Sequence, residues 1–394
     1  MTRPLPRTRR MSGMSLVELM IAMVIGLIVM LGVVQVFSAS RAAYRLSEGL
    51  ARVQENSRFA MDSLQRELRM AGHFGCVNDQ AHSLQAPGSL RTTLNITANP
   101  ALDFTHSIQG YEATNTEPNQ AVTLSATPST GGTAYSPALP ADLADAIKNR
   151  VDGSDIVALR YLMPDGVPVT SITGDPQRPV FNFDGLRMAV LKSGVNNPGL
   201  FGVADCLSAT VFQARAVGAS SVSAGDAPLN AALFSSLYTT GQAMLYRAES
   251  IVFYVGYDAA NAQTSLYRVR YTAGPNGALV VGTPEALVEG VENLQMLYGQ
   301  DRRLTAVSPS GYIDRQGTAK DVQGSLADPA AAWRRVGAVQ LGMVISSPDP
   351  SAAQQATNAA ALTTMGVTFT APNDGRMRAV YQTTVALRNR LYGN

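Results

Sequence analysis

An acidic residue lies four positions after a methionine at the start of a long apolar segment. Glu18 is the only ionisable side chain within residues 14–37, and Met14 begins that segment. A carboxylate inside a membrane costs about 2.5–3.5 kcal/mol at mid-depth on insertion scales, so it needs a partner or a tolerant depth. A free α-amino group on Met14 would share a helix face with Glu18. The spacing therefore predicts charge pairing between this carboxylate and the amine of its own or an adjacent chain.

The chain contains two cysteines, Cys76 and Cys206. In an oxidising compartment two cysteines predict one disulfide, which would close a loop of about 130 residues and contribute roughly 5 kcal/mol. A zinc site or a catalytic thiol needs more ligands. The chain offers only His73, His82 and His106, without paired spacing. We therefore expect a disulfide between Cys76 and Cys206, no metal and no cofactor.

The sequence shows no catalytic constellation. It lacks a nucleophile elbow and a phosphate-cradling Gly-Lys-Ser/Thr loop. Asp152, Asp205 and Asp301 lie in turn-like contexts, where solvated or capping roles are the commoner explanation. The formal net charge is +2 and no basic run follows the first ten residues, so direct nucleic-acid binding is not expected. We expect a protein that is not an enzyme.

The N-terminal residues give the apolar segment an orientation. Arg3, Arg7, Arg9 and Arg10 lie within the first thirteen residues, which contain no acid. Positive residues of this kind remain on the cytoplasmic side of a membrane. Residues 14–37 can cross a hydrocarbon core of about 30 Å at about 1.5 Å per residue. The pattern predicts a single-pass inner-membrane protein with a cytoplasmic N-terminus and a periplasmic C-terminal domain.

Residues 12–19, Ser-Gly-Met-Ser-Leu-Val-Glu-Leu, resemble the class III signal of type IV prepilins and of type II secretion pseudopilins. In that family a membrane peptidase cuts after the Gly and leaves the apolar segment attached. The resemblance implies a leader over residues 1–13, cleavage between Gly13 and Met14, and N-methylation of Met14. It also implies that the Glu18 carboxylate pairs with the terminal amine of a neighbouring subunit during assembly. Met14 stands where the family more usually has Phe.

Two other interpretations of this segment remain open. One is an ordinary signal anchor that contains an isolated acid. The other is secretory cleavage near residues 38–40, where small side chains follow the apolar run. The second would discard Glu18 with the signal peptide.

The helical pattern continues beyond the apolar run. Residues 38–70 contain no proline, and Gly72 provides a natural stop. We expect a helix of roughly 85 Å over residues 14–71, with its first half, residues 14–37, in the membrane or filament core. The amphipathic half, residues 38–71, should pack on the globular domain through an apolar stripe formed by Leu46, Leu50, Val53, Ala60, Leu64 and Leu68.

The remaining residues, 72–394, read as a β-rich globular domain. Hydrophobic residues make up 46% of the chain and charged residues 15%, and 34 Gly with 21 Pro indicate many turns. Residues 84–140 are expected to form extended loops with short strands. Clearer strands are predicted over residues 155–162, 209–216, 243–257, 265–271, 336–345 and 378–387. The expected fold class is α+β, with at least one antiparallel sheet, and the pilin resemblance implies a lollipop shape.

Residues 286–301 resemble a feature of PilW-type minor pilins, as do Trp333 and the ending Leu-Arg-Asn-Arg over residues 387–390. This resemblance implies a minor pilin that takes part in type IV pilus assembly or priming. A tip or initiation complex would support twitching motility, adhesion or DNA uptake. The implied partners are prepilin peptidase, other minor pilins, the major pilin, the inner-membrane assembly platform and a tip adhesin. The implied location is the inner membrane and then the pilus.

Two alternatives to this function stay open. A type II secretion pseudopilin would share the signal, the helix and the mode of assembly. A membrane-anchored periplasmic enzyme or receptor would share the anchor but would never polymerise. It would also keep its leader.

Overall fold

A single long helix dominates the N-terminal part of the protein. The computed structural model describes residues 13–77, 89–301, 303, 310–351 and 361–390. Helix α1, Leu16–Met70, has 55 residues and is therefore about 80 Å long. Ser15 caps its start, and Gly72 takes a φ of +84°, where residues with a Cβ are strained, to turn the chain away after its end. The expected helix over residues 14–71 is confirmed nearly to its ends.

The rest of the described chain is mainly β-structure, with short helices between strands. The short helices are α2 (Ala141–Ala146), α3 (Met188–Lys192), α4 (Ala319–Gln323) and α5 (Pro329–Arg334). The strands are β1 (Ser89–Thr92), β2 (Ile108–Ala113), β3 (Ala121–Thr123), β4 (Tyr135–Ser136), β5 (Ile156–Leu162), β6 (Val167–Pro168), β7 (Ser171–Asp175), β8 (Arg178–Asn182), β9 (Leu200–Ala204), β10 (Ser208–Gln213), β11 (Ala216–Val217), β12 (Ser221–Ser223), β13 (Met244–Asp258), β14 (Gln263–Ala273), β15 (Leu279–Val281), β16 (Glu285–Glu289), β17 (Val291–Asp301), β18 (Ile313–Gly317), β19 (Val336–Ser346), β20 (Leu362–Thr364), β21 (Val367–Thr370) and β22 (Arg378–Ala386).

Strand β13 lies at the centre of the largest sheet. The strand order is β1-β10-β9-β13-β5-β2-β4, and β14 pairs with β13 and carries β15 and β16. The strand pairs of this sheet are antiparallel except for β1 with β10, which are parallel. Val157 and Phe253 face one apolar core, whereas the adjacent Ala158 and Val252 face another. Burial on both faces explains why these strands appear in the sequence as continuous apolar runs.

Helix α1 packs against a second antiparallel sheet. This sheet has the order β18-β17-β19-β22. Val53 and Leu64 of the helix lie in the same core as Leu294 of β17 and Leu341 of β19. The result is a long helix attached to a β-rich domain, which confirms the expected α+β lollipop.

Two smaller sheets complete the domain. One has the order β11-β12-β8-β7 and the other β20-β21-β3, in which β21 and β3 are parallel. Strands β1 to β4 are the short strands expected within residues 84–140, of which residues 84–88 lie outside the described part. The six clearer predicted strands correspond to β5, β10, β13, β14, β19 and β22, with bounds that differ by a few residues.

The apolar stripe of α1 is covered along only part of its expected length. Val53, Leu64 and Leu68 are fully buried, whereas Leu46 and Leu50 remain 43% and 38% exposed. The described part of the domain reaches the helix near Gly49, where a Cβ would lie 2.8 Å from Ser351 Cβ. Within the described residues Leu46 and Leu50 therefore remain exposed, contrary to the prediction that they pack on the domain.

Candidate helix-packing site

The start of α1 is closed by a reciprocal pair of hydrogen bonds. Ser15 Oγ accepts from the Glu18 backbone N–H at 3.2 Å, and Glu18 Oε2 accepts from the Ser15 backbone N–H at 2.9 Å. This capping box satisfies two amides that a helix start would otherwise leave unpaired. In the uncleaved chain the nitrogen of Met14 belongs to a peptide bond and carries no charge. In this state Glu18 is hydrogen-bonded to Ser15 instead. Pairing of Glu18 with a terminal amine remains a prediction.

The junction between Gly13 and Met14 is open to the surroundings. No described atom lies within 4 Å of where a Cβ on Gly13 would stand, and Met14 is 68% exposed. Among the described residues, nothing covers this bond. Residues 1–12, which hold the four arginines, lie outside the described residues. Cleavage and N-methylation at this junction stay predictions.

The first half of α1 exposes apolar side chains on every face. The large apolar residues within 14–37 are between 43% and 74% exposed. The most apolar 18-residue window of the helix has a mean hydropathy of 2.7 and no burial, and the helix is long and apolar enough to cross a membrane. Such a surface is unfavourable in water and requires lipid or other apolar helices around it. This half can therefore act as an anchor and as a packing surface.

The second half of α1 is fixed to the domain by polar as well as apolar contacts. The Tyr161 hydroxyl on β5 donates a hydrogen bond to Glu67 Oε2. Arg268 on β14 lies 3.7 Å from Glu67 Oε1 and 2.8 Å from Glu285. Burial, together with the adjacent Glu67 charge, raises the pKa of Tyr161, so its hydroxyl remains a donor. This cluster attaches the helix to strands β5 and β14 of the largest sheet.

The C-terminal segment of the chain contacts the C-terminal end of α1. Asn389 Nδ2 donates to the carbonyl oxygen of Arg69 at 2.9 Å. Arg390 Nη1 donates to the carbonyl oxygens of Trp333 and Val336 at 2.7 and 2.9 Å. The Trp333 ring meets Tyr298 edge to face, with centroids 5.0 Å apart. Residues from all three features, Tyr298, Trp333 and Leu387, therefore lie in the same buried core.

The disulfide between Cys76 and Cys206 is present and connects residues 130 positions apart. It joins the segment just after α1 to the turn between β9 and β10. The described residues contain no group of three or more His, Cys, Asp or Glu that could hold a metal ion. His73 Nδ1 lies 2.8 Å from the Leu162 carbonyl oxygen, and buried His106 lies 3.5 Å from Asp103. His82 lies outside the described residues.

The three aspartates expected in turns bind backbone amides. Asp152 Oδ1 accepts from Gly132 and Thr133 N–H at 2.8 and 2.9 Å. Asp205 Oδ1 accepts from the N–H groups of residues 207 and 208 at 2.8 and 2.7 Å. Asp301 ends β17 and accepts from the N–H groups of residues 303 and 311 at 2.7 and 2.6 Å. Of the two roles expected for them, solvation and capping, the structure shows capping of the backbone.

Sequence reasoning missed a buried acid that connects the two large sheets. Asp155 accepts from Ala113 N–H on β2 at 3.0 Å and from Met296 N–H on β17 at 2.9 Å. Burial raises its pKa to about 7, although these amides oppose the shift. Burial and the charge of Asp155 also raise the pKa of nearby Glu112, which is 2% exposed. The sequence signal that could have identified Asp155 as buried is its position directly before the apolar strand β5.

Comparisons with known proteins match two separate parts of the chain. Residues 252–389 match the family model for type IV pilus-assembly protein W, PilW. Residues 8–34 match the prokaryotic N-terminal methylation motif. The first match contains Trp333 and most of the residue 387–390 ending, and the second contains Gly13, Met14 and Glu18. Searches of curated proteins and of solved structures gave no match.

Proposed function

Taking the chain as a PilW-type pilin, as the two family matches support, we propose that it is a minor pilin that primes a type IV pilus and remains at its tip. A pilin of this type is anchored in the inner membrane and later lies in the pilus. It is processed by prepilin peptidase and assembles with other pilins. The observation that carries the proposal is the exposed apolar half of α1, continuous with a half that is docked on the domain.

The size of the domain favours the tip over the shaft. A shaft subunit is repeated along the filament, so its domain must leave room for neighbours on all sides. Here the described domain contains four apolar cores built on four sheets, all attached to one end of α1. A domain of this bulk is accommodated more easily where neighbours are absent on one side.

The proposed partners follow from the two halves of the molecule. Residues 14–37 would pack with the helices of the major pilin and other minor pilins, with Glu18 opposite a neighbour's methylated amine. The inner-membrane assembly platform would receive the anchored chain. A tip adhesin would contact the globular domain. Twitching motility, adhesion or DNA uptake would then depend on this subunit through the pilus it initiates.

The PilW match over residues 252–389 favours the pilus over the type II secretion alternative. The pilin matches likewise point to a structural, non-enzymatic protein. The non-polymerising receptor or enzyme would need no signal for processing at Gly13, whereas residues 8–34 match the methylation motif.

The experiment is complementation of a deletion strain with a tagged wild-type chain. We expect loss of surface pili in the deletion strain, restoration by the wild type, and immunogold label at filament ends. Label spread along the shaft would contradict the tip position. Normal pili with a defect in protein secretion would contradict the pilus assignment and indicate a pseudopilin.

A further inference from the structure

Strand β22 forms a long open edge of the sheet on which α1 packs. Within the described residues this nine-residue strand pairs with β19 alone. The Leu387 N–H binds the Gly337 carbonyl oxygen, and the Ser347 N–H binds the Met377 carbonyl oxygen. Because bonding alternates along an antiparallel pair, the odd-numbered residues of β22 face β19. The amides and carbonyls of residues 380, 382 and 384 therefore point outward.

Strand β22 differs from the other edge strands because it is both long and uncharged over most of its length. Residues 379–386, Ala-Val-Tyr-Gln-Thr-Thr-Val-Ala, carry no charge, no proline and no glycine. The opposite edge of the same sheet, β18, exposes Asp314 and Arg315, and the edge strand β7 exposes Gly174 and Asp175. Charges and short, irregular strands protect edges against pairing with another chain. β22 lacks that protection and has a composition that favours pairing.

The exposed part of this edge lies beside the helix that enters the filament. Gln382, Thr384 and Ala386 are exposed, and Gln382 Nε2 donates to the Thr363 carbonyl oxygen of the adjacent β20 at 3.3 Å. The alternate side of β22 packs on α1. Gln65 Nε2 of the helix donates to Thr383 Oγ1 at 3.2 Å. A neighbour that packs along α1 would therefore arrive next to the outward amides of β22.

We propose that the β22 edge accepts an antiparallel edge strand from a different pilin subunit, which extends the β18-β17-β19-β22 sheet across the subunit boundary. This inference rests on the proposed function. The occupant must offer an uncharged, extended segment, since backbone hydrogen bonds would supply the affinity and alternate side chains the specificity. Its strand would run against β22 while its own helix runs outward from the same membrane.

The direction of β22 relative to α1 argues against a second copy of this chain. Thr383 contacts Gln65, and Asn389 contacts Arg69, so both segments advance the same way along the molecule. Two copies joined by antiparallel β22 strands would direct their helices oppositely along that strand. Both helices must instead start in one membrane, which a different subunit can satisfy.

The test is photocrosslinking in the native bacterium, with a photoreactive phenylalanine analogue placed at Ala386 or at Gln382. We expect each position to crosslink to one strand of another pilin. The crosslinked residues in the partner should run in the opposite order to the two probe positions. Crosslinks to a second copy of this chain, or to residues outside a strand, would overturn the proposal.

Three variants at Thr384 report on the hydrogen bonds themselves. Thr384→Pro removes an outward N–H without breaking the β19 ladder, and we expect the crosslink yield at Ala386 to fall about tenfold. Thr384→Lys keeps the amide but adds an edge charge and should lower the yield similarly. The matched control, Thr384→Val, keeps both amide and shape and should leave it unchanged. Because Thr384→Lys keeps the backbone intact, it tests the edge even if the proline variant fails to fold.

The outcomes separate this inference from the function on which it rests. If the chain is processed and lies in normal pili, but the crosslink yield at Ala386 is unchanged by Thr384→Lys and Thr384→Pro, the strand pairing alone is overturned. An unprocessed chain that never reaches filaments would overturn both.

Discussion

The Tyr161 hydroxyl donates a hydrogen bond to the Glu67 carboxylate, so strand β5 of the largest sheet contacts helix α1 directly. Arg268 adds a positive charge 3.7 Å from the same carboxylate. Apolar contacts of Val53 and Leu64 bury one face of the helix. The hydrogen bond adds a directed contact to one side chain and so supports the register between the helix and the domain.

Replacement of Tyr161 by Phe should lower the free energy of unfolding by about 1–2 kcal/mol, because Glu67 would lose a buried donor. The full chain in detergent would be unfolded with urea and followed by circular dichroism. In a double-mutant cycle, Tyr161→Phe with Glu67→Gln should show a coupling energy of about 1 kcal/mol or more. Additive effects of the two substitutions would contradict the direct contact.

Loss of the disulfide should destabilise the junction between α1 and the domain. Cys76→Ser combined with Cys206→Ser should lower the free energy of unfolding by about 2–5 kcal/mol, since a long loop is released in the unfolded state. Reduction of the wild-type chain provides the matched control and should shift the melting temperature to the same value. An unchanged melting temperature in the double variant would contradict a stabilising bridge.

Asp155 gives stability a defined pH dependence. Its pKa is about 7 in the folded chain, against an ordinary value of 3.8. Between these values the folded chain holds a proton that the unfolded chain has lost, so stability falls as pH rises, with a limiting slope of about 1.4 kcal/mol per pH unit. Below the ordinary value and above pH 7 this contribution is constant.

The measurement compares urea unfolding of the wild type and of Asp155→Asn from pH 4 to pH 8. The difference between the two removes the contribution of titrating groups that do not interact with Asp155, and it reports on Asp155 together with the neighbouring Glu112. We expect the stability of the wild type relative to the variant to decrease across this interval. A rising or flat difference would show that Asp155 is ionised in the folded chain.

Local patterns in the sequence predicted the elements better than their contacts. Residues 14–71 could be predicted as a helix because apolar spacing persists without proline up to Gly72. Strands β5 and β13 could be predicted because burial on both faces gives them continuous apolar runs in the sequence. The disulfide partners followed from there being two cysteines. These features depend on neighbours in the chain or on composition, which a sequence displays directly.

Contacts between distant segments could not be predicted. Glu67 lies on a helix face beside Leu64 and Leu68, and nothing in its spacing identifies Tyr161 as its partner. The exposure of Leu46 likewise depends on where the domain ends against the helix. The capping box between Ser15 and Glu18 does have a local signal, a serine followed three residues later by a glutamate, which the charge-pairing prediction for Glu18 did not include.

The two roles of Glu18 can be separated by substitution. Glu18→Gln keeps an acceptor for the Ser15 N–H but removes the charge, so the helix should form while incorporation into filaments falls at least about tenfold. Ser15→Ala weakens the cap but keeps the charge, and it should leave incorporation nearly unchanged. Both variants should be processed, and sheared filaments would be quantified by immunoblot. Normal incorporation of Glu18→Gln would contradict a role for the charge.

The proposed assembly depends most directly on the chemical state of the mature N-terminus. Mass spectrometry of the chain from membranes and from sheared filaments of the native bacterium would determine it. We predict a chain that begins with N-methylated Met14 in both fractions. An intact leader, or a start near residue 41, would contradict prepilin processing and with it the proposed assembly.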